Sequence, residues 1–172
     1  TVSEAIGGYA DGTYLTIPGL KCTATSAQVG AYYVESVDRT AGLRLQTDDA
    51  MSVGDTVTLD GIILTRSNGE RYLANASVQS KVAGSPLAPL GLRPGDAGGG
   101  SPGEYCSGVA GKVGCYHVGL LVRVFGQVRS VGSNDIYIND ASLPGNGIRV
   151  VTSSRTNVPA LGSNIAVSGI LR

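Results

Sequence analysis

Apolar and polar residues alternate along much of this chain with the period of two that marks a half-buried β-strand. Val57 and Leu59 alternate with Thr56 and Thr58, and Ile165 and Val167 alternate with Asn164, Ala166 and Ser168. Longer strand-like runs cover Thr13 to Ala24, Glu70 to Gln79 and Val118 to Val131. Pro18-Gly19 and Gly126 fall inside two of them, where a coiled strand bends from one sheet into another. Helical signals are sparse. Thr1-Val2-Ser3-Glu4 has the form of a capping box and predicts one short helical turn from Val2 to about Gly7.

The pattern repeats. Tyr32-Tyr33-Val34-Glu35-Ser36 aligns with Ile136-Tyr137-Ile138-Asn139-Asp140, and each is followed by a Gly-apolar-Arg-apolar strand, Gly42-Leu43-Arg44-Leu45 and Gly147-Ile148-Arg149-Val150. Further on, Val53 to Ile62 aligns with Leu161 to Ile170. A long bent first strand, a hairpin and further strands at tight turns give the order of a five-stranded Greek-key barrel of the OB type. An unspecified β-sandwich is the alternative that evenly spaced short strands also fit. The expected fold is therefore all-β: two tandem OB-like barrels, over residues 1–83 and 117–172. Residues 84–116 form a Gly/Pro-rich linker between them. Leu87, Leu90 and Leu92 predict that part of the linker lies against a barrel wall. After Leu64 the first repeat turns at Ser67-Asn68-Gly69 into its last strand, and the second repeat has no counterpart to that strand. An open barrel edge exposes unpaired N–H and C=O groups, so the linker, the N-terminal segment or a neighbouring chain is expected to cover it.

Composition supports a folded, turn-rich chain: 42% hydrophobic residues, 15% charged residues and 26 glycines. Formal net charge is zero, so no global field draws it to phosphate backbones or anionic membranes. No apolar run approaches the roughly 20 residues of a membrane helix, so membrane insertion is not expected. The chain begins with Thr1, as a processed or trimmed chain would. Cys106 and Cys115 bracket the loop Ser107 to Gly114 and are candidates for a disulfide in an oxidising compartment. Cys22 is left over, either as a small buried hydrophobe or as an intermolecular disulfide partner.

The motifs resemble those of secreted bacterial proteins carrying tandem OB-like domains, with a Pro-Leu-Gly linker followed by a Gly-Leu-Leu-Val-Arg-Val strand. Here these are Pro89-Leu90-Gly91 and Gly119-Leu120-Leu121-Val122-Arg123-Val124. The resemblance extends to Glu4-Ala5, Asp11-Gly12-Thr13, Asp38-Arg39 and Gly54-Asp55, and so spans most of the chain. It implies an extracellular or cell-surface location and an OB-type fold, but no established activity. The family pattern usually has an aromatic where Phe125 stands.

Chemistry is thinly represented. General acid–base catalysis most often uses His, and His117 is the only one, with no nucleophile motif around it. No catalytic residues, cofactor or metal site are expected, since Cys106 and Cys115 lack zinc-ligand spacing. Asp48-Asp49 and Asp135 with Asn139-Asp140 do not follow a calcium-loop pattern. Asn75-Ala76-Ser77 matches a glycosylation sequon, a weak signal within a strand. Tyr33 with Arg44, and Tyr137 with Arg149, occupy equivalent positions and are expected to point outward, where they would serve a polysaccharide or a single-stranded nucleic acid. Neutrality disfavours the nucleic acid. The leading expectation is a non-enzymatic extracellular structural protein whose partners are copies of itself, assembling into a filament by strand addition. Its assembly candidates are Thr1, Val2, Cys22, Ile165, Val167 and Ile170. An extracellular binding module is the alternative.

Overall fold

Pro18 has no amide hydrogen to donate and Gly19 adopts φ 71°, so a strand containing both cannot hold one register. In the computed structural model, which describes residues 1–152 and 158–172, strand β1 (Tyr14–Ala24) shifts register between Ile17 and Leu20. That break lets β1 pair with β4 (Thr56–Thr65) along one side and, through Lys21 to Ala24, with β2 (Tyr32–Glu35) on the other. With β3 (Gly42–Leu45) and β5 (Arg71–Val82) these strands close a barrel in the order β1-β2-β3-β5-β4. Every neighbouring pair is antiparallel except β3 and β5, which run parallel through Arg44–Tyr72 and Leu45–Leu73.

The chain is all-β apart from short helical pieces, and it divides into two units. Thr1–Ala88, Gly98–Leu121 and Ile170–Arg172 make the first; Pro89–Ala97 and Val122–Gly169 make the second. Boundaries read from the sequence at residues 83 and 117 thus differ from the observed ones. Residues 98–116, expected to be linker, and 117–121, expected to open the second barrel, belong to the first unit, and the Pro-Leu-Gly stretch supplies a strand, β6 (Leu90–Leu92), to the second.

In the first unit, Ile17, Leu20, Val34, Leu43, Leu45, Val57, Leu59, Ile63 and Leu73 fill the barrel. Helix α1 (Val2–Gly7) forms where the capping box predicted it: Thr1 accepts from the Glu4 N–H, while the Glu4 carboxylate accepts from the N-terminal amine. The helix buries Val2, Ala5 and Ile6 in the same core as Cys106 and Tyr116. The glycine-rich segment reaches that core by close backbone approach. A Cβ on Gly42 would stand 2.2 Å from the Gly119 carbonyl, and one on Gly103 would stand 2.5 Å from the Gly7 carbonyl oxygen. Glycine is used at these positions for close contact.

In the second unit, β7 (Leu121–Val131) is the central strand. It pairs antiparallel with β8 (Asp135–Asn139), which pairs with β9 (Ile148–Val151), and on its other side it neighbours β10 (Asn164–Ile170). The parallel strand β6 pairs with Val122–Val124, beyond the end of β8. Val122, Val124, Val128, Ile136 and Ile138 are buried. Among the described residues the strands form an open sheet rather than a closed barrel, with β9 and β10 at its two ends.

Candidate functional site

Residues 33, 44 and 72 alternate with core positions on β2, β3 and β5, so they share the outer surface of the first barrel. Tyr33 pairs with Arg44 and Arg44 with Tyr72 across the ladder. Tyr33, however, is not an exposed stacking surface. Its ring is fully buried beside Ala24, Ala31, Val29 and Ile170, in a cluster separate from the barrel core. Its hydroxyl donates to Glu70 Oε1 at 2.7 Å and accepts from Arg44 Nη1 at 3.2 Å, with the guanidinium carbon 5.9 Å from the ring centroid. The outward alternation holds, but Ala24 at the end of β1, Val29 in α2 (Ser26–Val29), Ala31 and Ile170 cover the ring. Burial first, then the Glu70 carboxylate, raises the Tyr33 phenol above its ordinary value.

Glu70 connects this row to Arg66, whose Nη1 stands 2.8 Å from Glu70 Oε2. Beside the network lies a cleft of about 390 Å³ whose lining includes Tyr32, Arg44, Gln46, Thr47, Arg66 and Tyr72. Of these, only Arg44 was marked by the sequence reading. Tyr72, in β5, and Arg66, in the turn before it, lie outside the segments that the repeat aligned.

Tyr137 and Arg149 do form the equivalent pair in the second unit, directly opposite across β8 and β9. Tyr137 is half-buried and Arg149 exposed, its Nε 2.6 Å from the Asp135 carboxylate. Phe125 is exposed at 58%, and with Leu92, Arg123 and Val124 it borders a shallow depression of about 500 Å³.

The residues proposed for assembly scatter. Thr1 caps α1 and Val2 lies in the first core. Cys22 is fully buried there, its thiol held up at about 11 by burial and then by Asp55, which removes it from intermolecular disulfide chemistry. Ile170 packs partly buried against the Tyr33 cluster. Ile165 and Val167 alone occupy an open strand edge, on β10. The expected disulfide is not formed: Cys106 is buried beside Tyr116 and Cys115 is exposed, and all three thiols are free.

Several motifs that carried the resemblance are structural anchors. Asp11 accepts from the Thr65 N–H and pairs with buried Arg71 at 2.5 Å. Arg39, with φ 61°, binds Glu35 through Nε at 2.6 Å and donates to the carbonyls of Ala88 and Leu121. Glu35 itself is fully buried and also accepts from the Leu121 N–H. Asp55 accepts from the Ser52 N–H. His117 keeps a buried Nδ1 without a hydrogen-bond partner and has no nucleophile motif beside it. Among the described residues, no group of three His, Cys, Asp or Glu side chains is placed to hold a metal ion. Compared with known proteins, the chain matches no family model, no curated protein and no solved structure.

Proposed function

We propose that this chain is a non-enzymatic extracellular structural protein built from OB-type barrels, and that its copies assemble by strand addition into the open edge of the second unit, extending into a filament. The OB reading rests on the order β1-β2-β3-β5-β4 with its parallel β3/β5 closure, and on a second unit that follows the same order as far as its fourth strand. The extracellular location rests on the family resemblance of the motifs.

The observation that carries assembly is that β9 and β10, at the two ends of the second sheet, each keep one edge without a strand among the described residues. In the first barrel β5 fills the equivalent place, and the inward residues Leu43, Leu45, Val57 and Leu59 are all at most 2% exposed. Their counterparts Ile148, Val150, Ile165 and Val167 are only half-buried. Two internal candidates for closing the gap are engaged elsewhere: β6 pairs with β7, and the N-terminal segment is α1 in the first core. A donated strand reproducing β5 runs parallel to β9 and antiparallel to β10, with every second side chain apolar and entering between Val150 and Val167.

Electron microscopy of the native material, read beside sedimentation of the purified chain, tests this reading. Ordered filaments, or a mass that rises with concentration and is lost in Val167→Asp, are the expected results. A chain that remains monomeric at high concentration overturns it.

A further inference from the structure

We propose that the cleft on the first barrel binds a uronate-containing oligosaccharide, with Arg44 holding the sugar carboxylate. This goes beyond strand addition and concerns a different unit, so either idea stands or falls without the other.

Charge singles out the carboxylate. Arg66 is paired with Glu70, and Glu70 receives the Tyr33 hydroxyl as well. Arg44 has no carboxylate ion pair among the described residues; its guanidinium donates to the Tyr33 hydroxyl and lies over that ring. Two arginines against one glutamate leave one positive charge in excess at the cleft wall. A guanidinium offers a planar fork matched to a carboxylate, and the contact with Tyr33 fixes that fork before any ligand arrives.

Shape and lining point to a sugar. Tyr32 and Tyr72 are half-buried, and Gln46 and Thr47 present amide and hydroxyl groups to the same space. Phenol, amide and hydroxyl groups around a single cation suit a ring with several hydroxyls and one acid. About 390 Å³ is near the lower end of ligand sites, roughly 300–1,000 Å³, and accommodates one or two rings rather than a long strand. A nucleic acid fits less well: a strand carries a phosphate at every nucleotide, whereas the cleft offers one arginine without a carboxylate partner and room for only one or two rings.

Isothermal titration calorimetry of the whole chain with tetragalacturonate provides the test. Neutral maltotetraose and a twelve-nucleotide oligothymidylate serve as comparisons. Tetragalacturonate is expected to bind at one site per chain, with affinity falling at least tenfold in Arg44→Gln and severalfold in 0.5 M salt. Maltotetraose should bind at least tenfold more weakly than the uronate. Because Arg44 also touches Tyr33, amide chemical-shift mapping on the unmodified chain accompanies the variant. Shifts centred on Tyr32, Arg44 and Tyr72 support the assignment, whereas shifts elsewhere overturn it even if Arg44→Gln fails to fold. Absence of uronate binding, undiminished binding in a folded Arg44→Gln, or tighter binding of oligothymidylate each overturns it too.

Discussion

Tyr33 shows how much one residue's role depends on what lies over it. Alternation along β2 correctly puts it on the opposite face from Val34, yet alternation says nothing about what covers that face. Ala24, Val29 and Ala31 lie just before Tyr33 in the sequence, but only the turn through α2 and the arrival of Ile170 from far along the chain bring them together around the ring. The hydroxyl is the polar handle of an otherwise apolar burial, and Tyr33→Phe removes a donor from Glu70 and an acceptor from Arg44 at once. Leaving Glu70 short of a donor should cost about 1–3 kcal/mol, read from urea denaturation of the variant against the parent. The thiols test placement in a different way. With Cys22 raised to about 11, on the order of one molecule in a thousand carries its thiolate at pH 8. Together with the burial of Cys106, this leaves Cys115 as the reactive group. Titration with a disulfide reagent should find one reactive thiol per native chain and three after unfolding without reductant. Only one after unfolding would restore the disulfide that the loop spacing suggested.

At the scale of elements, strands declare themselves in this sequence and tertiary anchors do not. The period of two, the capping box and the Pro18-Gly19 break are local signals, and each corresponds to an observed feature: β4 and β10, α1, and the register shift in β1. Residues 98–116 carry the composition of a linker, because glycine and proline suppress regular structure. The same glycines permit the backbone contacts that hold this segment on the first barrel, a distinction no composition reveals. Glu35 was equally silent. The repeat aligned it with Asn139, and both prove to be buried polar residues that hold neighbouring backbone: Asn139 donates to the carbonyls of Leu143 and Gly145, while Glu35 receives the Leu121 N–H. Burial raises the Glu35 carboxyl above its ordinary value despite the opposing pull of the Leu121 N–H and Arg39. A raised folded value means the native state holds this proton more tightly than the unfolded chain. The stability it contributes is therefore complete below the ordinary carboxylate range and is lost as pH rises through the raised value. Glu35→Gln has no such proton. Relative to that variant, the parent should lose stability with rising pH across this window, checked by urea midpoints of both proteins from about pH 4 to pH 7. Parallel curves would show that Glu35 titrates as an ordinary carboxyl.

At the scale of the whole molecule, the same strand order is carried to completion in one unit and left open in the other. The first unit closes its ladder through β5; in the second, β9 and β10 each keep one edge without a strand among the described residues. A sheet edge flanked by half-buried Ile148, Val150, Ile165 and Val167 combines unpaired backbone groups with apolar side chains, the two things a strand supplies partners for. Comparison of the two repeats made it legible that no described strand of the second unit stands where β5 stands in the first. What occupies its place was not legible, since an unmatched stretch carries no address for its partner. Backbone amides report on that occupancy directly. In the isolated chain, hydrogen exchange should be faster over 148–151 and 164–169 than over the equivalent 42–45 and 56–65, because opening free energy follows the burial and pairing of each strand. A synthetic peptide copying β5, residues 71–82, is the strand that fills the equivalent place in the first barrel. Added in excess, it should slow exchange over 148–151 and 164–169 while leaving 42–45 and 56–65 unchanged, and it should compete with assembly by occupying the acceptor. Exchange that is unaltered by the peptide, in a chain that still self-associates, would mean that copies join through some other surface and that the gap between β9 and β10 is not where they meet.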